Sequence, residues 1–405
     1  MMRDDYGELI GSLAKESKTR IVLLVMDGLG DCDNAGRGTA LALAKTPNFD
    51  ALSKASGLGL HIPVAPAVTP GSGPGHLGLF GYDPLAFQVG RGVLSALGIE
   101  FKITPRDVAA RLNFCTVDKA GLVTDRRAGR PSDDENRRVI AKILGKLKAP
   151  AGVEVFLETE AEHRAVLVLR GDNLDDQIGE TDPQATGVPT LSSVRPPHDQ
   201  SKTARVFADL EKQVRAILAD EPKLNMILAR GFAKVPHWLS FAERYKMKPA
   251  AVAGYPMYRG VARLVGMPVV SQPTKAVDVC AEAAKAMQDH TFVFAHFKYT
   301  DKTGEDGDLA GKVQRIEDMD AAIPVLLDAK PDVLIVTGDH STPPSLKAHS
   351  WHPVPFLMKA PSLRGGDGPR FTEVACRAGQ FGTILARELI PYAMAHAGKL
   401  EKFGA

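Results

Sequence analysis

Three short apolar runs, each cut off by acids or imidazoles, constrain this chain more than any other feature. Ile21-Val-Leu-Leu-Val-Met26 stops at Asp27-Gly28. Phe292-Val-Phe-Ala295 leads through His296 and Lys298 to Asp301, and Val333-Leu-Ile-Val336 ends at Thr337-Gly-Asp339-His340. Apolar runs without alternation read as strands buried on both faces, the habit of a parallel sheet between helices. In such sheets ligands collect beyond the carboxyl ends of the strands. The polar residues therefore stand where a site belongs, although they come from opposite ends of the sequence. Between them, Val313, Ile316, Met319, Ile323 and Leu327 have helical spacing, and Thr46-Pro47-Asn48 before Phe49 reads as a helix start. The expected class is α/β, with a central, largely parallel sheet between helices.

At 405 residues, 44% of them hydrophobic, the chain exceeds what one core usually organises, and two domains are expected. The middle reads as its own α/β unit. It has strands at 153–157 and 165–169, a helix through Val206, Leu210, Val214 and Ile217, strands at 226–228 and near 250–253, and a helix over 274–287. The expectation is a first domain made of 1–105 and 281–405, with 106–280 inserted into it. Basic and acidic residues nearly balance, 50 against 48. No basic tail or stripe stands out, so nucleic acid is not an expected partner. Cys32, Cys115, Cys280 and Cys376 are scattered without a C-x-x-C pair, which suits buried thiols in a reducing compartment rather than zinc thiolates or disulfides. The segment 1–18 is polar and lacks the apolar core of a signal peptide, and the run 21–26 is too short to span a bilayer. These features point to a cytoplasmic protein without a membrane partner.

Singly, the polar motifs are weak: Asp27-Gly28 after a strand is commonly a turn, and a lone His349 or His352 is commonly structural. Together they form a set. Carboxylates and imidazoles at adjacent strand ends, without thiolates, suit divalent ions, and two such ions can clamp a transferring phosphoryl group and activate a nucleophile. The candidate nucleophile is Ser72 in Thr69-Pro-Gly-Ser72-Gly-Pro-Gly-His-Leu-Gly. Glycines around it allow close backbone approach, and the apolar pattern that follows suggests a helix beginning there, whose free N–H groups would favour a phosphate. Arg126, Arg127 and Arg130 crowd a Gly-containing segment, and guanidinium groups pair bidentately with phosphate and carboxylate. Read alone, that segment fits a solvated basic turn equally well.

In their order along the chain, Val-Met-Asp27-Gly, the Ser72 motif with Leu-Phe-Gly-Tyr-Asp83, Gly90-Arg-Gly, Asp125-Arg-Arg-Ala-Gly-Arg130, Thr-Gly-Asp339-His-Ser-Thr and Lys347-Ala-His349-Ser-Trp-His352-Pro-Val-Pro resemble the archaeal-type, bisphosphoglycerate-independent phosphoglycerate mutases of the alkaline phosphatase superfamily. The resemblance covers about 20–357. It implies an alkaline-phosphatase-like metal domain in 1–105 and 281–405, and a substrate-binding lid in 106–280. Asp27, Ser72, Asp339 and His340 would surround one divalent ion; Asp301, Glu305 and His349 would hold a second. His349 is preferred to His352 for its distance from the Pro353-Val-Pro355 turn, which leaves His352 a supporting role. Arg126, Arg127, Arg130, His163, Arg164, Arg230 and Lys298 would bind a small phosphorylated substrate.

Two departures stand out. The pattern expects Asp-x-x-Gly-His-Asp-Gly where this chain has Asp301-Lys-Thr-Gly-Glu305-Asp-Gly, and a glutamate prefers harder ions than imidazole does. Mn²⁺ or Mg²⁺ is therefore expected ahead of Zn²⁺ or Co²⁺, with no requirement for 2,3-bisphosphoglycerate. Ser271-Gln-Pro-Thr274 also departs from the family's Gly-Ala-Thr-Gly. The implied reaction runs through phosphoserine on Ser72, with glycerate retained under the closed lid and phosphorylated again at its other hydroxyl. A phosphatase, a mutase of another substrate, and a non-catalytic metal- or phosphate-binding protein are the alternatives.

Overall fold

Each of the three apolar runs is a fully buried strand in the computed structural model, which describes residues 4–366, 368 and 370–404. Of the polar segment 1–18, residues 1–3 lie outside that set, and the remainder contains a helix, Asp5–Leu13, capped by the Asp4 side chain. In chain order the strands are β1 (Ile21–Met26), β2 (Gly57–Ile62), β3 (Asp107–Val117), β4 (Val123–Asp125), β5 (Val153–Ala161), β6 (Arg164–Gly171), β7 (Met226–Ala233), β8 (Pro249–Ala253), β9 (Val269–Ser271), β10 (Phe292–Phe297), β11 (Val333–Thr337), β12 (Val354–Lys359) and β13 (Gly382–Leu385).

Residues 1–88 and 238–405 make one compact unit. Its sheet has the order β13-β2-β12-β11-β1-β10-β8-β9. β1 lies between β10 and β11 and runs parallel to both, with Met26 opposite Phe297 and Val25 opposite Thr337. That register decides where the chemistry goes, because the residues following each strand emerge along one edge of the sheet. β12 is antiparallel to β11 and to β2, so the sheet is largely, not wholly, parallel. Apolar side chains from these strands, such as Leu24, Met26 and Val336, share a buried core with Ile316, Met319 and Ile323 of the helix Leu309–Asp328. The helix start expected at Thr46-Pro47 is the helix Pro47–Ser53.

The second unit is 89–237, which corrects the expected boundaries of 106–280. β8 pairs in parallel with β10, and β9 with β8. The helix Ala276–Ala286 packs on Leu309–Asp328. All three therefore belong to the first sheet and its cover, and the short apolar run of β8 looks in sequence like a strand of either unit. At the other boundary the helix Arg91–Gly98 packs on β3, β6 and β7. The second sheet is antiparallel: β3 pairs with β4, β6 and β7, and β5 with β6. Its even-numbered β3 positions, Leu112 and Phe114, face a core filled by Ile140 and Ile143 from Asp133–Leu144 and by Phe207, Leu210 and Val214 from Lys202–Ile217. The alternation of a strand puts Arg111 and Asn113 on the other face.

Leu24 is fully buried in the central strand, so Leu24→Ala should destabilise the protein by about 2–5 kcal/mol through lost burial and a residual cavity. Urea unfolding of the first unit should show a lower midpoint at an unchanged m-value.

Candidate metal centre

The edge formed by β1, β10 and β11 carries Asp27, Asp301, Asp339 and His340, all buried. Gly28, directly after Asp27, has φ +62, and a Cβ there would lie 2.9 Å from Asp301 Oδ1. Only glycine meets both demands of this turn. Its N–H donates to Asp339 Oδ1 at 3.0 Å. Ser72 opens the helix Ser72–Leu79, and Gly75 one turn on is required because a Cβ would stand 2.6 Å from the Asp339 carbonyl oxygen. This close approach puts Ser72 Oγ 3.3 Å from His340 Nε2.

Two sets of donors can each surround a cation: Asp27, Asp339 and His340, and Asp301, His340 and His349. Hydrogen bonds assign the shared histidine. Thr342 Oγ1 donates to Asp301 Oδ1 at 2.7 Å and so can only accept from His340 Nδ1, 3.0 Å away. This leaves the His340 Nε2 lone pair facing Asp27 Oδ1 at 3.4 Å and Asp339 Oδ2 at 3.2 Å. His349 Nδ1 donates to the Pro70 carbonyl at 2.9 Å, which turns its Nε2 towards Asp301 Oδ1 at 3.5 Å and Glu305 Oε1 at 3.9 Å. Fixing the tautomer through the far nitrogen is how proteins prepare an imidazole to bind metal. The helix Tyr299–Asp306 carries both Asp301 and Glu305, four residues apart and hence on one face. Glu305 remains half exposed at the rim of this second set. His352 stays outside both, bonded to Ser350 Oγ at 2.9 Å.

The electrostatics favour a cation. Neither oxygen of Asp27, nor Oδ2 of Asp339, accepts a hydrogen bond although all three are buried, a costly state for a charged carboxylate. Burial and then the neighbouring Asp339 raise the Asp27 pKa well above the ordinary carboxylate value. Burial acts upward on Asp339 too, but the imidazoles of His340 and His76 and the Gly28 N–H outweigh it and hold its pKa well down. The ammonium of Lys298 lies 3.0 Å from Asp27 Oδ2 and against Asp301 Oδ2, with the Tyr258 hydroxyl 3.2 Å away. Burial alone would lower the Lys298 pKa; Asp27, Tyr258 and Asp301 reverse that and raise it well above the ordinary lysine value. Lys298 thus sits with the carboxylates of the first unit. An oxygen- and nitrogen-donor set with orphaned buried carboxylate oxygens fits divalent ions of the Mn²⁺, Mg²⁺ or Zn²⁺ type.

The second unit holds the other expected residues. Asp125 accepts from the backbone N–H groups of Arg127 at 2.8 Å and Gly129 at 2.6 Å. These bonds stabilise a turn in which Ala128, Gly129 and Arg130 all have positive φ, and they leave the Arg127 and Arg130 side chains exposed. Arg126 is committed to a bidentate pair with Asp182, at 3.0 and 2.7 Å. Arg230 approaches the same carboxylate at 3.5 Å and donates to Gln184. His163 is buried beside Arg164, and burial followed by the arginines Arg164, Arg127, Arg130 and Arg111 drives its pKa to about 4. The pattern of the sequence missed Thr342, Tyr258 and His76, whose Nδ1 lies 3.2 Å from Asp339 Oδ2. It also missed Lys312, whose buried ammonium donates to the carbonyls of Gly30 and Thr342 at 2.9 and 3.0 Å. Their signal was faint, since Thr342 and His76 lie inside recognised motifs but Lys312 is one lysine in a helix of ordinary composition. The four cysteines form no disulfide and are buried apart from Cys32, which is partly exposed. Among the described residues no helix is long and apolar enough to cross a membrane.

Comparison with known proteins places this geometry. The Metalloenzyme superfamily profile matches residues 19–395. A Thermus thermophilus protein described as a probable 2,3-bisphosphoglycerate-independent phosphoglycerate mutase is 47% identical over 406 residues, covering 99% of this chain and 100% of the relative. A Thermotoga maritima protein with the same description is 47% identical over 401 residues, with the same coverage. Among solved structures, a Pyrococcus horikoshii protein superposes with a TM-score of 0.82 at 29% identity over 96% of this chain and 100% of its own. A cofactor-independent phosphoglycerate mutase from Thermoplasma acidophilum gives 0.70 at 30% identity, over 94% of this chain and 100% of its own.

Thr342→Val keeps the shape but removes the hydroxyl that orients His340 and Asp301. Divalent-ion affinity should fall about 10–100-fold, which titration calorimetry on the metal-stripped protein would read; unchanged affinity would remove Thr342 from this role. Burial likewise holds the fully buried His61 at about 4. For His61 and His163 the unfolded chain, with a pKa near 6.5, takes the proton first. Their contribution to stability is intact above about pH 6.5 and declines as pH falls towards 4, so the urea midpoint should drop across that window, and less steeply in His163→Asn.

Proposed function

The chain belongs to the 2,3-bisphosphoglycerate-independent phosphoglycerate mutases of the metalloenzyme superfamily, and from that premise we propose that it interconverts 3-phosphoglycerate and 2-phosphoglycerate through a phosphoserine on Ser72. The observation that carries this reading is the position of Ser72 Oγ, at a helix start and 3.3 Å from the metal-facing nitrogen of His340. Asp27, Asp339 and His340 would hold one divalent ion, and Asp301, Glu305 and His349 a second. Bound there, such ions supply Lewis-acid neutralisation of phosphoryl charge and ease ionisation of the serine hydroxyl.

The rest is the work of the chain's own groups. Ser72 Oγ forms the new bond to phosphorus and gives up its proton, while the bond to the substrate's 3-oxygen breaks and that oxygen takes a proton. The backbone N–H groups at the start of Ser72–Leu79 face the resulting phosphoserine. In the return step the 2-oxygen of glycerate attacks phosphorus, loses its proton, and Ser72 leaves and is reprotonated. Lys298, between Asp27 and Asp301, pairs with both carboxylates and offsets part of their mutual repulsion. Arg127, Arg130, Arg164 and Arg230, with His163 neutral at pH 7, supply donors for the carboxylate and phosphate of the substrate. Two carboxylates against one imidazole at the second ion favour Mn²⁺ or Mg²⁺ over softer ions.

Purified protein with Mn²⁺ should convert 3-phosphoglycerate to 2-phosphoglycerate without added 2,3-bisphosphoglycerate. Ser72→Ala should lose this activity while keeping its circular dichroism and unfolding midpoint. Inorganic phosphate as the main product of the wild type would replace the mutase with a phosphatase.

A further inference from the structure

Lys312 stands where a positive charge is costly on three counts. It is fully buried. It lies in the first turn of the helix Leu309–Asp328, at the positive end of the helix dipole. Among the described residues its ammonium has two neutral carbonyls for hydrogen-bond partners and no carboxylate within 4.0 Å. Asp31 and Glu373, the acids that act on it most strongly, are engaged elsewhere. Asp31 accepts from the Asn34 side chain at 3.0 Å and from the Ala40 N–H at 2.9 Å, and Glu373 accepts from Thr39 Oγ1 at 2.6 Å. Burial therefore prevails and lowers the Lys312 pKa from the ordinary lysine value, against the pull of Asp31, Glu373 and Asp301. A residue needed here only for packing would be apolar.

What the ammonium does touch is the frame of the metal centre. The carbonyls it binds belong to Gly30, in the loop after β1 that begins with Asp27, and to Thr342, in the loop after β11 that carries Asp339 and His340. These loops already run side by side: the Gly30 N–H donates to the His340 carbonyl at 3.3 Å, and the Thr342 N–H to the Gly30 carbonyl at 3.0 Å. A Cβ on Gly304 would lie 2.3 Å from the Thr342 carbonyl oxygen. That oxygen is thus held between the Lys312 ammonium and the helix Tyr299–Asp306, which bears Asp301. Both backbone polar groups of Thr342 are fixed, the N–H by Gly30 and the carbonyl by Lys312. The hydroxyl of the same residue donates to Asp301 Oδ1 and accepts from His340 Nδ1. All of these groups lie within the first unit.

We propose that Lys312 is a positioning residue of the metal centre, acting through Thr342 to hold His340 and Asp301 in the geometry that binds the two ions. The inference rests on the two-ion reading of the site and adds to it what keeps the shared hydroxyl in place. One hydroxyl can serve two ligands only if its backbone is fixed, because hydrogen bonds weaken steeply as their angle departs from linearity. Lys312 supplies that support from a long helix, a more rigid base than either loop. No covalent bond is made or broken by it.

The test uses the full-length chain stripped of metal, in four forms: wild type, Lys312→Met, Thr342→Val and the double variant. Titration calorimetry gives the Mn²⁺ affinity of each, the visible absorption of the Co²⁺-loaded forms reports coordination geometry, and thermal unfolding gives the metal-free Tm. Lys312→Met should bind Mn²⁺ about tenfold more weakly than wild type and show a changed Co²⁺ spectrum. Because Lys312 acts through the Thr342 hydroxyl, the double variant should bind no more weakly than Thr342→Val alone, a coupling that the double-mutant cycle reads directly. Losses that multiply in the double variant overturn the proposal, since Lys312 then acts by another route. A lower metal-free Tm with wild-type Mn²⁺ affinity and Co²⁺ spectrum overturns it too, and makes Lys312 a residue of the scaffold alone. If Lys312→Met does not fold, Lys312→Gln, which keeps N–H donors on a shorter side chain, goes through the same cycle under the same criteria. A wild type that binds no Mn²⁺ overturns the two-ion reading itself, whereas a wild type and a Lys312→Met that bind it equally overturn only the assignment of Lys312.

Discussion

Burial of negative charge at the end of β1 and its neighbours is the constraint from which the rest of the first unit follows. Asp27, Asp301 and Asp339 are withdrawn from water at one sheet edge, and carboxylates so placed repel each other through a medium that screens poorly. The fold answers with positive or proton-bearing groups at graded distances. Lys298 touches Asp27 and Asp301, the Gly28 N–H and His76 turn to Asp339, and Thr342 donates to Asp301. Still, oxygens of Asp27 and Asp339 remain without hydrogen bonds. The architecture therefore stores an unmet demand for cations where Ser72 stands, and the glycines at 28 and 75 exist to let the backbone come close enough to use it.

How much of this could be seen in the residues depends on the range of the signal. Each strand that ends at this edge announced itself, because an apolar run ending in an acid is a local pattern, and Asp27, Ser72, Asp301, Asp339, His340 and His349 do come together in space. The orientation of the imidazoles was invisible. Which nitrogen of His340 faces the carboxylates is decided by Thr342, and that of His349 by the Pro70 carbonyl, contacts that no spacing encodes. Arg126 illustrates the same limit: its neighbours Arg127 and Arg130 are exposed, while Arg126 itself is neutralised by Asp182, which is 56 residues away in sequence.

The unit boundary shows a different kind of illegibility. A parallel strand such as β8 pairs with a partner some forty residues later, so its allegiance is set by a crossover and not by its own composition. The antiparallel second sheet was easier to recognise at β5 and β6, two apolar-rich strands joined by a short turn. Its long central strand, β3, was overlooked because the Ala-Ala-Arg-Leu-Asn segment lacks a clean alternation of apolar and polar residues. The arginine that breaks the pattern there sits opposite a second arginine, an arrangement a strand built only for packing would avoid.

The helix Tyr299–Asp306 separates two properties that metalloproteins often bind together. Asp301 is buried and hydrogen-bonded at the sheet edge, whereas Glu305, one turn further along, has a side chain 54% exposed. Substitutions at an exposed helical position rarely disturb folding. The donor at this corner can therefore change between imidazole and carboxylate without threatening the scaffold. On the proposed assignment of Glu305 to the second ion, this is the corner at which one substitution would exchange the donor atom while the buried residues around it kept their packing.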